Sequence, residues 1–270
     1  MIAVLWIVAA LTIAVTGIVQ TIRAETRATA SAKRMAEVQA TGEAAIILVL
    51  QGLSSSQSGQ RHPWRKVDVE FAGKLISVES AALNGFVDLN RGSAELLALA
   101  FEKAGGLTGP AGMLLAQAVV EARQEKDTSG QQFRFEAVED LMRVPGVTYD
   151  LYARLRPLIT VDSQGSGKVN PQAAPPEVLI VLAEGNASRA SAMADVRRQG
   201  AEIDSTTLRS EFTDSSVGSR YRLRAFVPMN DGFEGVVVHD VDLNPSARAG
   251  LPWRLFNAET WMQALPSKAV

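Results

Sequence analysis

Few side chains of this chain could carry out chemistry. The two histidines, His62 and His239, lie beside linker or strand sequence, with no second His, Cys or Glu at the spacing of a metal site. The sequence contains no G-x-S-x-G motif, no H-E-x-x-H motif and no Walker phosphate-binding loop. We therefore expect surface or structural histidines, no cofactor site, and an interaction protein rather than an enzyme.

One short run of oxygen-bearing residues resembles the start of a calcium loop. Asp240, Asp242 and Asn244 form the pattern D-x-D-x-N. An EF-hand loop has Gly at its sixth position and Glu at its twelfth, where this chain has Pro245 and Leu251. The run is therefore not an EF-hand, and it identifies no calcium ligands.

Charge and length limit the partners and the domain count. The net charge is −2 and the pI about 5.8, so the chain as a whole has no electrostatic attraction for nucleic acid or an acidic surface. There are no cysteines, which excludes disulfides and thiolate chemistry. About 210 residues follow position 60, enough for one large or two small domains.

The first 22 residues carry no charge. Because about 20 apolar residues span the hydrocarbon core of a bilayer, residues 1–22 are predicted to form a transmembrane segment. A cleaved signal peptide is the alternative, but its apolar core is about 7 to 15 residues long and follows basic residues. This segment is longer and has no basic start.

The helical pattern continues beyond the predicted membrane segment. Residues 23–60 are predicted to form an amphipathic stalk helix that ends in a polar linker, and Gly42 is its weak point. A helix from Met1 to Leu53 would be about 80 Å long, so half of it would project from the membrane. The apolar stripe along this helix is more than one helix can bury alone, so we expect neighbouring subunits to cover it. The residues expected to make these contacts are Leu5, Met35, Val38, Ile46, Val49, Leu50 and Leu53.

The rest of the chain reads as strands, then helices, then strands. Residues 61–84 and 201–270 are predicted to form a small β domain, with a hairpin of Lys66–Phe71 and Lys74–Val78 around Ala72-Gly73. In the strand Arg220–Val227 the arginines alternate with apolar residues, which predicts one buried and one wet face. The arginine face is either solvated or a partner-binding stripe.

Residues 85–200 are predicted to be a helical domain inserted in that sheet. Ser93 caps one helix, while Pro110 and the pair Pro175-Pro176 open others. Residues 85–97 and 167–179 match without gaps, for example at Val87 and Val169, which indicates two related units.

These segments together resemble one protein family, the K-type minor pseudopilins of bacterial type II secretion systems. The resemblance runs through the chain in order: an apolar helix beginning MIAVLW, then FVDLNRGSAELL, FEAVEDLMRVPGVTYDLYARLRPLITV, KVNPQAAPPEVL and RYRLRAFV. It implies an α+β fold. A type IV pilin-like N-terminal helix, transmembrane and stalk, would be capped by a small antiparallel sheet carrying a large inserted helical domain, SAM-like or helix-hairpin-helix-like.

The resemblance also implies partners and a location. Such subunits join the I- and J-type minor pseudopilins in a tip complex that primes the pseudopilus of the major pseudopilin and takes part in protein export across the outer membrane. They are processed by the prepilin peptidase and anchored once in the inner membrane, with the body (61–270) in the periplasm. The family includes calcium binders, so the resemblance admits calcium on carboxylates of the body.

Two departures from the family pattern concern the N-terminus. No basic leader precedes Met1, so either the numbering begins near the mature end or the start is truncated or mis-assigned. The basic residues after the span would by themselves place the body in the cytoplasm, and we follow the resemblance for orientation. Most pilin-like subunits carry Glu at position 5, where this chain has Leu5 and no Glu before Glu25. The resemblance implies that such a subunit sits at the tip.

The alternative function is DNA binding. The helical repeats also resemble the helix-hairpin-helix modules of membrane-anchored DNA-uptake receptors, which hold a phosphate in an L-P-G-I-G-type turn. Here the turn is Val144-Pro145-Gly146-Val147-Thr148, with Thr148 in place of the second Gly. We therefore expect no nucleic-acid partner.

Overall fold

A computed structural model describes residues 2–56, 61–125, 130, 133–216, 218–229, 232–244 and 252–265, with the backbone alone for residues 2, 5, 7–19 and 21. The chain has six α-helices and seven strands in these ranges. The helices are α1 (Ile2–Ser55), α2 (Ala94–Lys103), α3 (Ala111–Ala122), α4 (Tyr149–Leu155), α5 (Pro176–Leu182) and α6 (Ala187–Arg198). The strands are β1 (Trp64–Phe71), β2 (Lys74–Ala82), β3 (Val87–Asp88), β4 (Ile159–Thr160), β5 (Arg220–Pro228), β6 (Phe233–Asp242) and β7 (Arg254–Ala264).

Five strands form one antiparallel sheet in the order β1-β2-β5-β6-β7. The predicted hairpin turn is present: Ala72 and Gly73 have φ of 52° and 71°, the left-handed values that a two-residue hairpin loop needs. The edge strand β7 was not predicted from the sequence. Its apolar residues do not alternate regularly, because a bulge opposite Asp240 and Val241 shifts the register within it.

The C-terminal half of α1 packs across one face of this sheet. Val38, Ala45, Ile46 and Leu50 share a buried core with apolar residues of β2, β5 and β6. The prediction of a long N-terminal helix on an antiparallel sheet is therefore confirmed. Among the residues whose side chains are described, no helix is both long and apolar enough to cross a membrane. The side chains of the predicted transmembrane segment, 1–22, lie mostly outside those residues.

The chain leaves the sheet after β2 and returns to it at β5. The intervening residues, 83–219 (the helical segment), contain α2 to α6 and a hydrophobic cluster of their own. Ser93 caps α2 by accepting a hydrogen bond from the Leu96 amide, and Pro176 opens α5, as the sequence predicts. The apolar spacing in residues 135–144 fits a helix, but only a 3₁₀ turn forms, at Val138–Arg143.

The two matching stretches have the same local structure. Val87 pairs in parallel with Ile159, and Val169 pairs in parallel with Thr213. After each pair, Asp88 or Asn170 accepts a hydrogen bond from the backbone amide two residues further on, and a helix follows. Each unit is thus an extended segment, an Asx turn and a helix, and the two units pack into one cluster.

Candidate interaction surface

The residues expected to contact neighbouring subunits lie mostly against the chain's own sheet. Val38, Ile46 and Leu50 are buried there, and Val49 and Leu53 pack partly on the same core. Met35 is half-buried, and the side chain of Leu5 lies outside the described residues. The apolar stripe from 35 to 53 therefore seats the stalk on the sheet of the same chain.

Two glycines bring the helix and the sheet unusually close. A Cβ atom on Gly42 would lie 2.4 Å from Cγ2 of Val237, and one on Gly235 would lie 2.2 Å from Cγ1 of Val38. Each valine thus fills the space above a glycine on the facing element. Gly42 weakens the isolated helix, and this close contact explains why a glycine stands there.

The opposite side of α1 presents large apolar side chains to solvent. Ile47 and Leu48 are 44 % and 47 % exposed, and Ile22 near the middle of the helix is also exposed. The sequence contains the signal for this second face, because Ala44–Leu50 is apolar throughout and one helix face can bury only part of such a run. The face at Ile47 and Leu48 (the outer stalk face) is the part of the stalk that a neighbouring subunit can reach.

The arginine face of β5 is buried, so the expectation of a wet face is wrong. Arg222 donates from Nε and Nη2 to the two carboxylate oxygens of Asp240, over 2.8 and 2.9 Å, and from Nη1 to the Ile159 carbonyl. Arg220 pairs with Asp242 and with Asp162 of the helical segment. The helical segment covers this face, and the arginines hold it to the sheet.

The D-x-D-x-N run does not fit a calcium site. Both carboxylate oxygens of Asp240 accept from Arg222, and Asp242 is held by Arg220 and by the Asn244 amide. Buried carboxylates paired with guanidinium groups have no free oxygens to offer a cation. Across the described residues, no group of three or more His, Cys, Asp or Glu side chains is placed to hold a metal ion.

The two histidines occupy different environments. His62 is exposed at the entrance of β1, whereas His239 is buried under α1 with Nε2 4.0 Å from Oε1 of Glu43. Burial lowers the pKa of His239, and the carboxylates of Glu43 and Asp240 oppose that effect. His239 is therefore a structural residue between stalk and sheet.

The turn that resembles a helix-hairpin-helix loop lies between the 3₁₀ turn and α4. Gly146 has φ of 94°, and Thr148 accepts from the Leu151 amide as the cap of α4. The nearby cations are already engaged, Arg143 with Asp140 and Arg154 with Asp150. No free cation beside the turn, within the described residues, favours phosphate binding there.

No protein-family model matches the sequence, and no curated protein matches it. A solved structure does match, a chain in the crystal structure of the GspK-GspI-GspJ complex from the type 2 secretion system of enterotoxigenic Escherichia coli. The alignment covers 90 % of this chain and 100 % of that one, with a TM-score of 0.52 and 14 % sequence identity. The two chains share a fold. The resemblance read from the sequence is thus confirmed at the level of the fold, with its long N-terminal helix and antiparallel sheet.

Proposed function

We propose that this chain is the K-type minor pseudopilin of a type II secretion system, at the tip of the pseudopilus. The observation that carries the proposal is the fold likeness over 90 % of the chain to a subunit of the GspK-GspI-GspJ complex. It agrees with the independent resemblance in sequence motifs from FVDLNRGSAELL to RYRLRAFV. The I- and J-type minor pseudopilins are then its direct partners.

The size of the helical segment supports a position at the end of the filament. The helical segment runs from residue 83 to residue 219 and lies over the sheet face opposite α1. In this proposal it is the inserted helical domain, with residues 85–200 as its two related units. Subunits that repeat along a closely packed filament must stack, and a segment of this size beside the stalk hinders that stacking.

Charge supports the same position. Residues 1–22 contain no glutamate, so no carboxylate of this segment can neutralise the N-terminal amine of a subunit placed above it. An unpaired charge in hydrocarbon is expensive. A subunit with nothing above it avoids this cost, and from that position it would prime assembly of the major pseudopilin and serve export across the outer membrane.

Membrane insertion and location belong to the same proposal. Residues 1–22 would anchor the chain once in the inner membrane after processing by the prepilin peptidase, and the body would lie in the periplasm. A reporter active only in the periplasm, fused after Val270, should be active. Activity of a cytoplasm-only reporter at that position would reject the orientation.

The direct test is co-purification of the full chain with I- and J-type subunits in detergent. We expect a one-to-one-to-one complex, with cross-links between stalks. The two adjacent isoleucines of the stalk give a matched pair. Ile47→Ser on the outer stalk face should leave folding intact and weaken the complex, whereas Ile46→Ser should destabilise the chain itself, because Ile46 is buried on the sheet. Long homopolymers of this chain, or a complex indifferent to Ile47→Ser, would reject the proposal.

A further inference from the structure

A groove lies between the start of the sheet and the helices α5 and α6. Its volume is about 370 Å³, and its floor is formed by small and apolar side chains. They belong to β1 on one side of the groove and to α5 and α6 on the other, and they include Trp64, Ile180, Ala190 and Ala194. The groove is on the face of the sheet opposite α1, away from the outer stalk face.

The groove continues into a cationic recess of about 540 Å³ at the end of α6. Four basic residues line this recess: Arg65, Lys66, Arg197 and Arg198. The one carboxylate among the described residues lining the groove or the recess is Glu79, which already bonds Lys66 and Arg224. Arg198 is also paired, with Asp195, but Arg65 and Arg197 make no ion pair with a described carboxylate, so the recess carries an excess of positive charge.

The guanidinium of Arg197 carries excess charge among the described residues of the recess. Its side chain stacks over the Trp64 ring, and the residue is only 9 % exposed, yet it makes no ion pair with a described carboxylate. Its Nη1 donates to the backbone carbonyls of Pro171, Gln172 and Ala174. Burial lowers the pKa of Arg197 to about 10, although Glu79 acts to raise it. Buried charges in proteins are normally paired, so this arginine favours an anionic ligand beside it.

Two buried hydrogen-bond donors in the groove also favour an anionic ligand. Arg197 Nε and Trp64 Nε1 are both buried and have no acceptor among the described residues. Both groups are donors, so the complement they need is an acceptor such as a carboxylate or a carbonyl oxygen.

We propose that this groove and recess bind an acidic peptide segment of a partner protein, with apolar side chains on the alanine floor and carboxylates on the arginines. A peptide fits better than a small anion, because phosphate alone would leave the apolar floor uncovered. The surface is separate from the outer stalk face, and the inference does not depend on the position proposed for the chain in the pseudopilus.

The test uses the full chain in neutral detergent micelles and fluorescein-labelled dodecapeptides. One peptide alternates Glu with Leu, a second Glu with Ser, and a third Lys with Leu, with empty micelles as the blank. We expect the Glu-Leu peptide to bind best, to weaken as salt rises, and to resist displacement by inorganic phosphate.

Surface variants locate the binding. Arg65→Glu combined with Arg198→Glu should weaken binding of the Glu-Leu peptide by about tenfold or more, since each change replaces attraction by repulsion. Arg134→Glu combined with Arg143→Glu makes the same charge change at two exposed arginines outside the groove and should have little effect. On α6, Ala194→Phe should block the floor, while Ala192→Phe, at an exposed position outside the groove, should not.

Three results would overturn the proposal. One is absence of binding by the Glu-Leu peptide beyond the blank. Another is binding that the arginine reversals or Ala194→Phe leave unchanged, with thermal melts showing folded variants. The third is equal binding of the Glu-Leu and Glu-Ser peptides with displacement by phosphate, which would make this a small-anion site.

Discussion

Replacing Gly42 with alanine should change the free energy of unfolding in two opposite ways. Helix propensity favours the alanine, whereas the close contact with Val237 opposes it. In an isolated helix, Gly42→Ala should stabilise the helix by about 0.5 to 1 kcal/mol, because alanine loses less backbone entropy on folding. In this structure the new methyl would lie 2.4 Å from Cγ2 and 2.8 Å from Cβ of Val237. No rotamer change of Val237 moves its Cβ, and the branched side chain has restricted χ1 freedom in a strand.

The magnitude follows from these two terms. Overpacking of a core costs about 1 to 3 kcal/mol, so the net effect of Gly42→Ala is a loss of about 0 to 2.5 kcal/mol, with a midpoint of about 1 kcal/mol. For a chain of this size the midpoint lowers the melting temperature by about 2 to 5 °C. Gly52→Ala is the matched control on the same helix, since nothing lies within 4 Å of its new Cβ. It should raise the melting temperature.

The assay is thermal unfolding of the full chain in detergent, followed by circular dichroism and by tryptophan fluorescence. A double-mutant cycle adds a second check: in the Val237→Ala background the space is free, so Gly42→Ala should no longer destabilise. If Gly42→Ala melts at or above the wild-type temperature while Gly52→Ala behaves as expected, the close seating of the stalk on β6 is wrong.

Three further predictions concern the sheet and the helical segment. Arg222→Met should cost about 3 to 5 kcal/mol in denaturant unfolding, because Asp240 is left buried without its partner, and adding Asp240→Leu should recover much of the loss. The buried His239 has a pKa below its ordinary 6.5, so the unfolded chain takes up a proton before the folded chain does, and the free energy of unfolding should fall as the pH drops below about 6.5. In a pH series of thermal melts, His239→Gln should reduce this dependence on pH. Ser93→Ala should cost about 1 kcal/mol in the same melts through loss of the cap on α2, and an unchanged melting temperature would contradict the cap.

Local signals in the sequence predict much of the fold. The left-handed turn at Ala72-Gly73, the cap at Ser93 and the proline start at Pro176 each depend on a few adjacent residues, and each is present in the structure. The stretch 135–144 shows the limit of that approach. Its apolar spacing fits a helix, but Val144 is extended, with ψ of 126° ahead of Pro145, so only a 3₁₀ turn forms.

The arginine face could not be predicted from β5 alone, because the answer depends on register with β6. A two-residue turn at Asp231-Gly232 would place Arg222 opposite Val241. In the structure the register differs by one residue, and Arg222 lies opposite Asp240. Since a shift of one residue moves every side chain of a strand to the other face, the turn length decides whether the acids meet the arginines.

The stalk shows a related limit on predicting interfaces. An apolar stripe indicates that a surface must be covered, but periodicity does not distinguish cover by the same chain from cover by a partner. Here α1 buries one face of the sheet and the helical segment buries the other. A neighbouring subunit can therefore reach the outer stalk face and the sheet edges, where Phe71 in β1 and Leu255 in β7 are exposed. The groove and its cationic recess are another accessible surface, and they differ from these in chemistry because the buried Arg197 makes no ion pair with a described carboxylate.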